Sequence, residues 1–208
     1  MSDLRVDLGW VAAATKGRLM SGDPSRAVGP IVTDSRTAKS GDLFVALQGP
    51  RFDGHHFVKN VLTNGAAGAV VQAGHAAAFA GESHVGIVAV DDTLMALQDM
   101  AREIRRESGA KVVAITGSAG KTTTKEAIAE CLSTRYRVVK NKGNLNNHIG
   151  LPLSLTELRT RPDVAVMELG MNHAGEISTL VSIAEPDVRV WTNVGDAHIG
   201  FFASAETT

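Results

Sequence analysis

The sequence has a single cysteine, Cys131, so no disulfide can close within the chain, and a reducing compartment fits that usage. The residue falls in a helix-forming stretch and is expected as a small core side chain. Excess charge is also lacking. Lys and Arg number 21 against 22 Asp and Glu, a net charge of -1, which indicates no polyanion-binding surface and argues against a nucleic-acid partner. No apolar run is long enough to span a bilayer. The N-terminus, MSDLRVDLGW, carries charges and no apolar core, so it does not read as a secretory signal. These absences lead to the expectation of a cytoplasmic protein without membrane insertion. What remains is an ordinary globular composition, 44% hydrophobic over 208 residues, enough for one large or two small domains.

The chain is organised around VVAITGSAGKTTT, Val112–Thr124. The apolar run Val112–Ile115 reads as a buried strand, and Lys125–Glu130 is helix-forming. Between them, Gly117, Ser118, Ala119 and Gly120 form a turn that leads into Lys121, Thr122 and Thr123. Strand, glycine turn, Lys-Thr and helix is the layout of a phosphate-binding loop. Glycines let successive backbone N–H groups face one anion, and the helix N-terminus adds partial positive charge. In this layout Lys121 would reach the terminal phosphates of a bound ligand and Thr122 would hold Mg²⁺. The longer standard loop has a glycine where Ile115 stands. The plain alternative is a glycine-rich strand-to-helix turn with a surface lysine.

Residues 1–84 alternate short strands and helices and are expected as a small α/β domain, with the remainder, 85–208, as a second. A helix is expected over 7–14, strands at 31–33, 43–47 and 68–71, and a helix over 57–64. Ser35 and Arg36 follow a strand, where a hydroxyl and a guanidinium could bind phosphate; a turn with a surface arginine is the alternative. His55 and His56 have no ligand-like partners at metal spacing and are expected as solvated loop residues. The segment 86–90 reads as a strand. A helix with Leu94, Leu97, Ala101 and Ile104 inward follows it, Asp91–Thr93 can cap that helix, and Arg102, Arg105 and Arg106 form its solvated side.

After the glycine loop, NKGNLNNHIGLP contains Asn144, Asn146 and Asn147, whose amides suit a polar substrate; a cluster of turn and capping residues is the alternative. The segment 163–168 reads as an interior strand ending in Glu168, where a nucleotide enzyme places a Mg²⁺ ligand. A helix over 176–184, a strand over 188–194 and then His198 complete the pattern. Strands alternating with helices imply a mostly parallel sheet. Its strand ends would bring Lys121, Thr122, Glu168 and His198 to one crevice.

Taken together, TGSAGKTTTKE, NKGNLNNHIGLPLSL, MELGMNHAGEI and TNVGDAHIGFFAS resemble the Mur ligases of peptidoglycan synthesis. TDSR, GDLFVALQG and FDGHHF resemble the uridine-nucleotide-binding domain of that family. The resemblance implies an ATP-dependent amide-bond ligase acting through an acyl phosphate. The Asn-rich loop and GMNHAGEI favour the branch that joins D-alanyl-D-alanine to UDP-MurNAc-tripeptide. It further implies that Gly117–Thr123 binds ATP, that Lys121, Glu168 and His198 are catalytic, that Thr122 and Glu168 hold one Mg²⁺ and His198 helps hold a second. Ser35, Arg36, Asn144, Asn146 and Asn147 would face the substrate. In the family the central domain continues beyond the point matched by Thr208 and a dinucleotide-fold domain follows. The chain is therefore expected to carry the uridine-nucleotide domain and part of the ATP domain, and to be inactive by itself. Two rival classes remain: a generic phosphate-loop ATPase or kinase, and a non-catalytic UDP-sugar-binding module.

Overall fold

The computed structural model describes residues 2–79 and 85–195. These form two compact units: Arg5–Met100, and the segment before Arg5 together with residues from Ala101 onward.

In chain order the first unit comprises α1 (Leu8–Ala14), β1 (Arg18–Ser21), β2 (Ile31–Val32), β3 (Leu43–Val45), β4 (Gln48–Gly49), β5 (Phe52–Asp53), α2 (Val58–Thr63), β6 (Gly68–Gln72), α3 (Ala73–Ala76), β7 (Gly86–Val90) and the start of α4 (Thr93–Ser108). Its main sheet has the order β1-β7-β6-β3-β2. All pairs are parallel except β1 with β7. The interior strands β6 and β7 are apolar on both faces, as a parallel sheet covered on both sides demands. Val58, Val61 and Leu62 of α2 pack there on Phe44, Ala69 and Ile87. Asp7 starts α1 by accepting from the Trp10 N–H at 2.9 Å, and Asp92 does the same for α4 through Leu94 and Met95. Both are N-terminal caps of the kind their sequences suggest.

The expected division between residues 84 and 85 falls instead inside α4. Gly86–Val90 pairs along its whole length with β6, so it completes the first sheet and cannot begin the second unit. The short antiparallel strand β1 and the β4–β5 hairpin had no clear signal, since neither is long enough to show alternation.

The second unit continues with β8 (Lys111–Thr116), α5 (Lys121–Ser133), β9 (Val138–Lys140), α6 (Gly150–Thr156), β10 (Val164–Glu168), α7 (Glu176–Ala184) and β11 (Val188–Trp191). The sheet is parallel throughout, in the order β11-β8-β10-β9. From β8 the chain crosses to β9 on one side; from β10 it crosses to β11 on the other. Right-handed crossovers then put α5 and α7 on opposite faces and open a crevice at the C-terminal ends of β8 and β10. Ile115, Ala129, Val164 and Val166 form the core under α5.

Three expectations about individual side chains are corrected. Cys131 is exposed on α5, because the buried face of that helix runs through Lys125 and Ala129. His55 is 4% exposed; its Nδ1 lies 2.6 Å from Asp53 Oδ1 and its Nε2 accepts from the Gln72 N–H at 2.9 Å. The arginines of α4 are not simply solvated. Arg105 donates to the carbonyls of Ala184, Glu185 and Ala110 and to Asp187, and Arg106 pairs with Glu103 and Glu185. These bonds satisfy carbonyls at the C-terminal end of α7.

Asp187 is the anchor of this network. It accepts from Lys111 Nζ at 2.8 Å, from the Val112 N–H at 2.9 Å and from Arg105 at 2.7 Å. The Lys111 hydrogen bond first, and then the Val112 amide, hold its carboxyl at about 2 despite partial burial. The folded pKa lies below the unfolded one, so the stabilisation is complete above the unfolded value and disappears as pH falls through about 2. Asp187→Asn is expected to cost about 1–2 kcal/mol at pH 7. Urea melts of both proteins should converge as pH drops from 4 toward 2; a penalty unchanged over that range would contradict the assignment.

Candidate nucleotide and metal site

The glycine loop lies at the C-terminal end of β8, the strand with β10 on one side and β11 on the other. Gly117 sits at φ 138° and Gly120 at 79°, a region that L side chains rarely enter. A Cβ at Gly117 would also lie 2.1 Å from Thr192 Oγ1 and 2.9 Å from the Asn193 carbonyl. The loop is thus pressed against the chain leaving β11. Asn193 Oδ1 accepts from the Ala119 N–H at 2.9 Å, Ser118 Oγ accepts from the Gly195 N–H at 2.9 Å, and Thr192 Oγ1 donates to the Ala119 carbonyl at 2.6 Å. These contacts shape the loop from its outer side.

The inner side presents the start of α5. Lys121, Thr122 and Thr123 are its first three residues, whose N–H groups have no partner within a helix. Gly120 precedes them and supplies no side-chain cap. The N–H groups of this first turn suit a phosphate chain, whereas those of Ser118 and Ala119 are already bonded to Asn193. Lys121 Nζ donates to the Gly117 carbonyl at 2.6 Å, so the ammonium lies across the loop it would serve.

Glu168 ends β10, one strand over. It is 4% exposed, and each carboxylate oxygen has its own partner. Thr122 Oγ1 donates to Oε2 at 2.8 Å and Asn146 Nδ2 to Oε1 at 2.9 Å. The hydroxyl and carboxylate oxygens that sequence reasoning assigned to one cation are therefore adjacent, and oxygen donors of this kind suit Mg²⁺. The main chain of Glu168 is held as well. Its N–H donates to Asn141 Oδ1 at 2.9 Å and its carbonyl accepts from Asn141 Nδ2 at 3.0 Å.

The Asn-rich loop divides by role. Asn146 turns inward to Glu168, and its side chain occupies the space a Cβ at Gly170 would need. Asn147 takes the capping alternative: its Oδ1 accepts from the Gly150 N–H at 2.8 Å and the Ile149 N–H at 3.1 Å at the start of α6. Asn144 is exposed. Asn141, Thr192 and Asn193 were not singled out by sequence reasoning. Asn141 was legible only as part of an asparagine cluster, and TN after β11 carries no periodic signal. His198 lies outside the described residues.

In the first unit, Ser35 is half-buried in the turn after β2 and Arg36 is exposed. The Arg36 guanidinium is gripped by Asp34, Nε to Oδ1 at 2.9 Å and Nη2 to Oδ2 at 2.6 Å. That side-chain pairing holds the Asp34 carboxyl at about 2. The arginine is therefore already matched to a carboxylate, a partner that phosphate would have to displace.

Comparison with known proteins gives two overlapping family matches. Residues 28–142 match the model of the Mur ligase family, catalytic domain, and residues 115–207 that of the Mur ligase middle domain. The UDP-N-acetylmuramoyl-tripeptide--D-alanyl-D-alanine ligase of Bacillus subtilis is 41% identical over 197 residues, covering 94% of this chain and 42% of that ligase. The Escherichia coli ligase of the same name is 36% identical, covering 97% of this chain and 43% of its own length. A crystal structure of MurF from Acinetobacter baumannii superposes with a TM-score of 0.86 at 37% identity, over 99% of this chain and 45% of the other. MurF ligase from Thermotoga maritima in complex with ADP gives 0.72 at 37% identity, over 85% and 40%. The chain thus spans less than half the length of each of these relatives.

Gly117→Ala tests the loop geometry. The added methyl meets Thr192 and Asn193 at a backbone angle alanine avoids, so a loss of more than about 1 kcal/mol in stability is expected. Binding of a fluorescent ADP analogue should weaken at least tenfold. Gly120→Ala, where a Cβ meets nothing within 4 Å, should suffer only from its positive φ. Equal effects from the two variants would contradict the steric account.

Proposed function

Because the chain belongs to the Mur ligase family, we propose that it carries the uridine-nucleotide-binding and ATP-binding parts of the ligase that joins D-alanyl-D-alanine to UDP-MurNAc-tripeptide. The first unit takes the uridine nucleotide at the turn bearing Ser35 and Arg36; the second takes ATP and Mg²⁺. The observation that carries the reading is the junction of Thr122 Oγ1 with Glu168 Oε2 at 2.8 Å, directly behind the glycine loop.

In the reaction, a free carboxylate of the UDP-linked peptide attacks the terminal phosphorus of ATP. The bond to the bridging oxygen breaks, giving an acyl phosphate and ADP. The amine of the dipeptide then attacks the acyl carbon, and inorganic phosphate leaves with the amide formed. Charge builds on the phosphoryl oxygens during the first step. On this reading Lys121, once released from the Gly117 carbonyl, and the N–H groups at the start of α5 balance it, which lowers the barrier. Mg²⁺ would add further neutralisation on the same oxygens, held by Thr122 and Glu168. Asn146 keeps the second carboxylate oxygen engaged, so Oε2 faces Thr122. His198 completes the proposed set as a ligand to a second ion. Asn144 is the member of its loop left to meet substrate. The reading carries with it a cytoplasmic location, and no described helix is long and apolar enough to cross a membrane.

Calorimetry separates this reading from its rivals. UDP-MurNAc-tripeptide and MgATP should each bind the chain. A bare ATPase would bind only the second, and a sugar-nucleotide module only the first. Lys121→Ala should reduce MgATP affinity and leave uridine-nucleotide binding within about twofold. Glu168→Gln preserves shape while removing charge, and should weaken the Mg²⁺-dependent part of ATP binding by about tenfold or more. Equal loss of both ligands in either variant would point to a folding defect and count against the site.

A further inference from the structure

Lys125 is 1% exposed, among the most buried side chains of the structure, and nothing in the reaction above uses it. It lies on α5 one turn beyond Lys121. Its ammonium donates to the Asn141 carbonyl at 3.0 Å and lies 3.3 Å from Glu126 Oε1. Glu126 is held in turn by Lys140. Burying an ammonium costs several kcal/mol before its partners are counted, and an apolar side chain of similar volume usually serves stability as well or better. A lysine at this depth therefore points to a purpose other than stability.

Its partner shows what that purpose is. Asn141, also 1% exposed, is the first residue after β9. The ladder between β9 and β10 ends at Lys140 opposite Val166. Beyond it, the Asn141 side-chain amide continues the pairing, its Oδ1 accepting from the Glu168 N–H and its Nδ2 donating to the Glu168 carbonyl. The same Nδ2 donates to the Leu145 carbonyl at 2.9 Å. That bond folds the loop so that the next residue, Asn146, reaches Glu168 Oε1. Main chain and side chain of Glu168 are thus both set by one loop, and Lys125 pins the carbonyl at its root.

We propose that Lys125 and Asn141 are positioning residues for the Glu168 carboxylate, acting together to hold its Oε2 toward Thr122 in the geometry that receives Mg²⁺. The proposal rests on the reading of Thr122 and Glu168 as metal ligands. It adds residues that touch neither nucleotide nor metal, and partners of this kind shift metal affinity by about 10- to 100-fold.

The test is Mg²⁺ titration of fluorescent ADP binding to the whole chain, with thermal unfolding measured in parallel. In Lys125→Met the Mg²⁺ midpoint should rise about tenfold with Tm held or raised. Asn141→Ala should raise the midpoint similarly. The double variant should match the worse single variant within about threefold, because both act through one loop. Lys125→Arg, which keeps the charge, should recover part of the loss. A midpoint unchanged in both single variants overturns the proposal, as does a fall in Tm with normal Mg²⁺ dependence. Unfolding of both assigns the pair to stability and overturns it too. If the unsubstituted chain binds ADP without regard to Mg²⁺, the metal-site reading itself fails. If it binds with Mg²⁺ dependence and the variants do likewise, only the positioning role fails.

Discussion

A carboxylate buried at the end of a strand is the constraint around which the second unit is arranged. Glu168 is 4% exposed, and an ionised group at that depth persists only if its oxygens are satisfied. The donors come from two separate stretches of chain. Thr122 arrives on α5, whose start is fixed by the glycine loop; Asn146 arrives on the loop after β9, whose course is fixed by Asn141. Both depend on the order β11-β8-β10-β9, which seats β10 between the strand that launches α5 and the strand that launches the loop. Moving Glu168 to an edge strand would separate its donors. The topology thus accounts for the hydrogen bonds, and these make the buried charge tolerable.

Much of this was legible in the sequence because it rests on local patterns. VVAI before two glycines and VAVM before Glu168 read as buried strands, and the helix-forming stretch after Lys121 read as a helix. Parallel pairing then placed Lys121, Thr122 and Glu168 together. Roles decided by a partner far along the chain were not legible. Asn146 and Asn147 are neighbours of the same type, yet one serves a carboxylate and the other starts a helix. Nothing in their order distinguishes them. Lys125 sits among polar and small residues and gave no sign of burial. The unit boundary was misplaced for a related reason: a five-residue apolar strand does not announce which sheet it will join.

The first unit shows the same limit at His55. FDGHHF suggests two equivalent loop histidines, whereas the structure buries one of them. With Nε2 accepting from the Gln72 N–H, the proton sits on Nδ1 and is donated to Asp53. His75 stacks on the ring at 4.0 Å between centroids. Asp53, His55 and His75 lie within coordinating distance of one another; both nitrogens of His55 are engaged, one with Asp53 and one with the Gln72 N–H, and the cluster braces the β4–β5 hairpin.

The self-contact of Lys121 has a consequence for selectivity. Its ammonium already holds the Gly117 carbonyl at 2.6 Å, so any anion entering the loop competes with an intramolecular acceptor. Such a bond to a charged group is worth about 1.5–3 kcal/mol. A small monovalent ion such as chloride gains too little from one contact to open the latch. On the proposed reading a triphosphate would engage several N–H groups at once and bring enough charge to draw the lysine across. On the proposed reading the loop would therefore set a threshold for entry, its own carbonyl competing with simple anions and yielding to polyvalent ones.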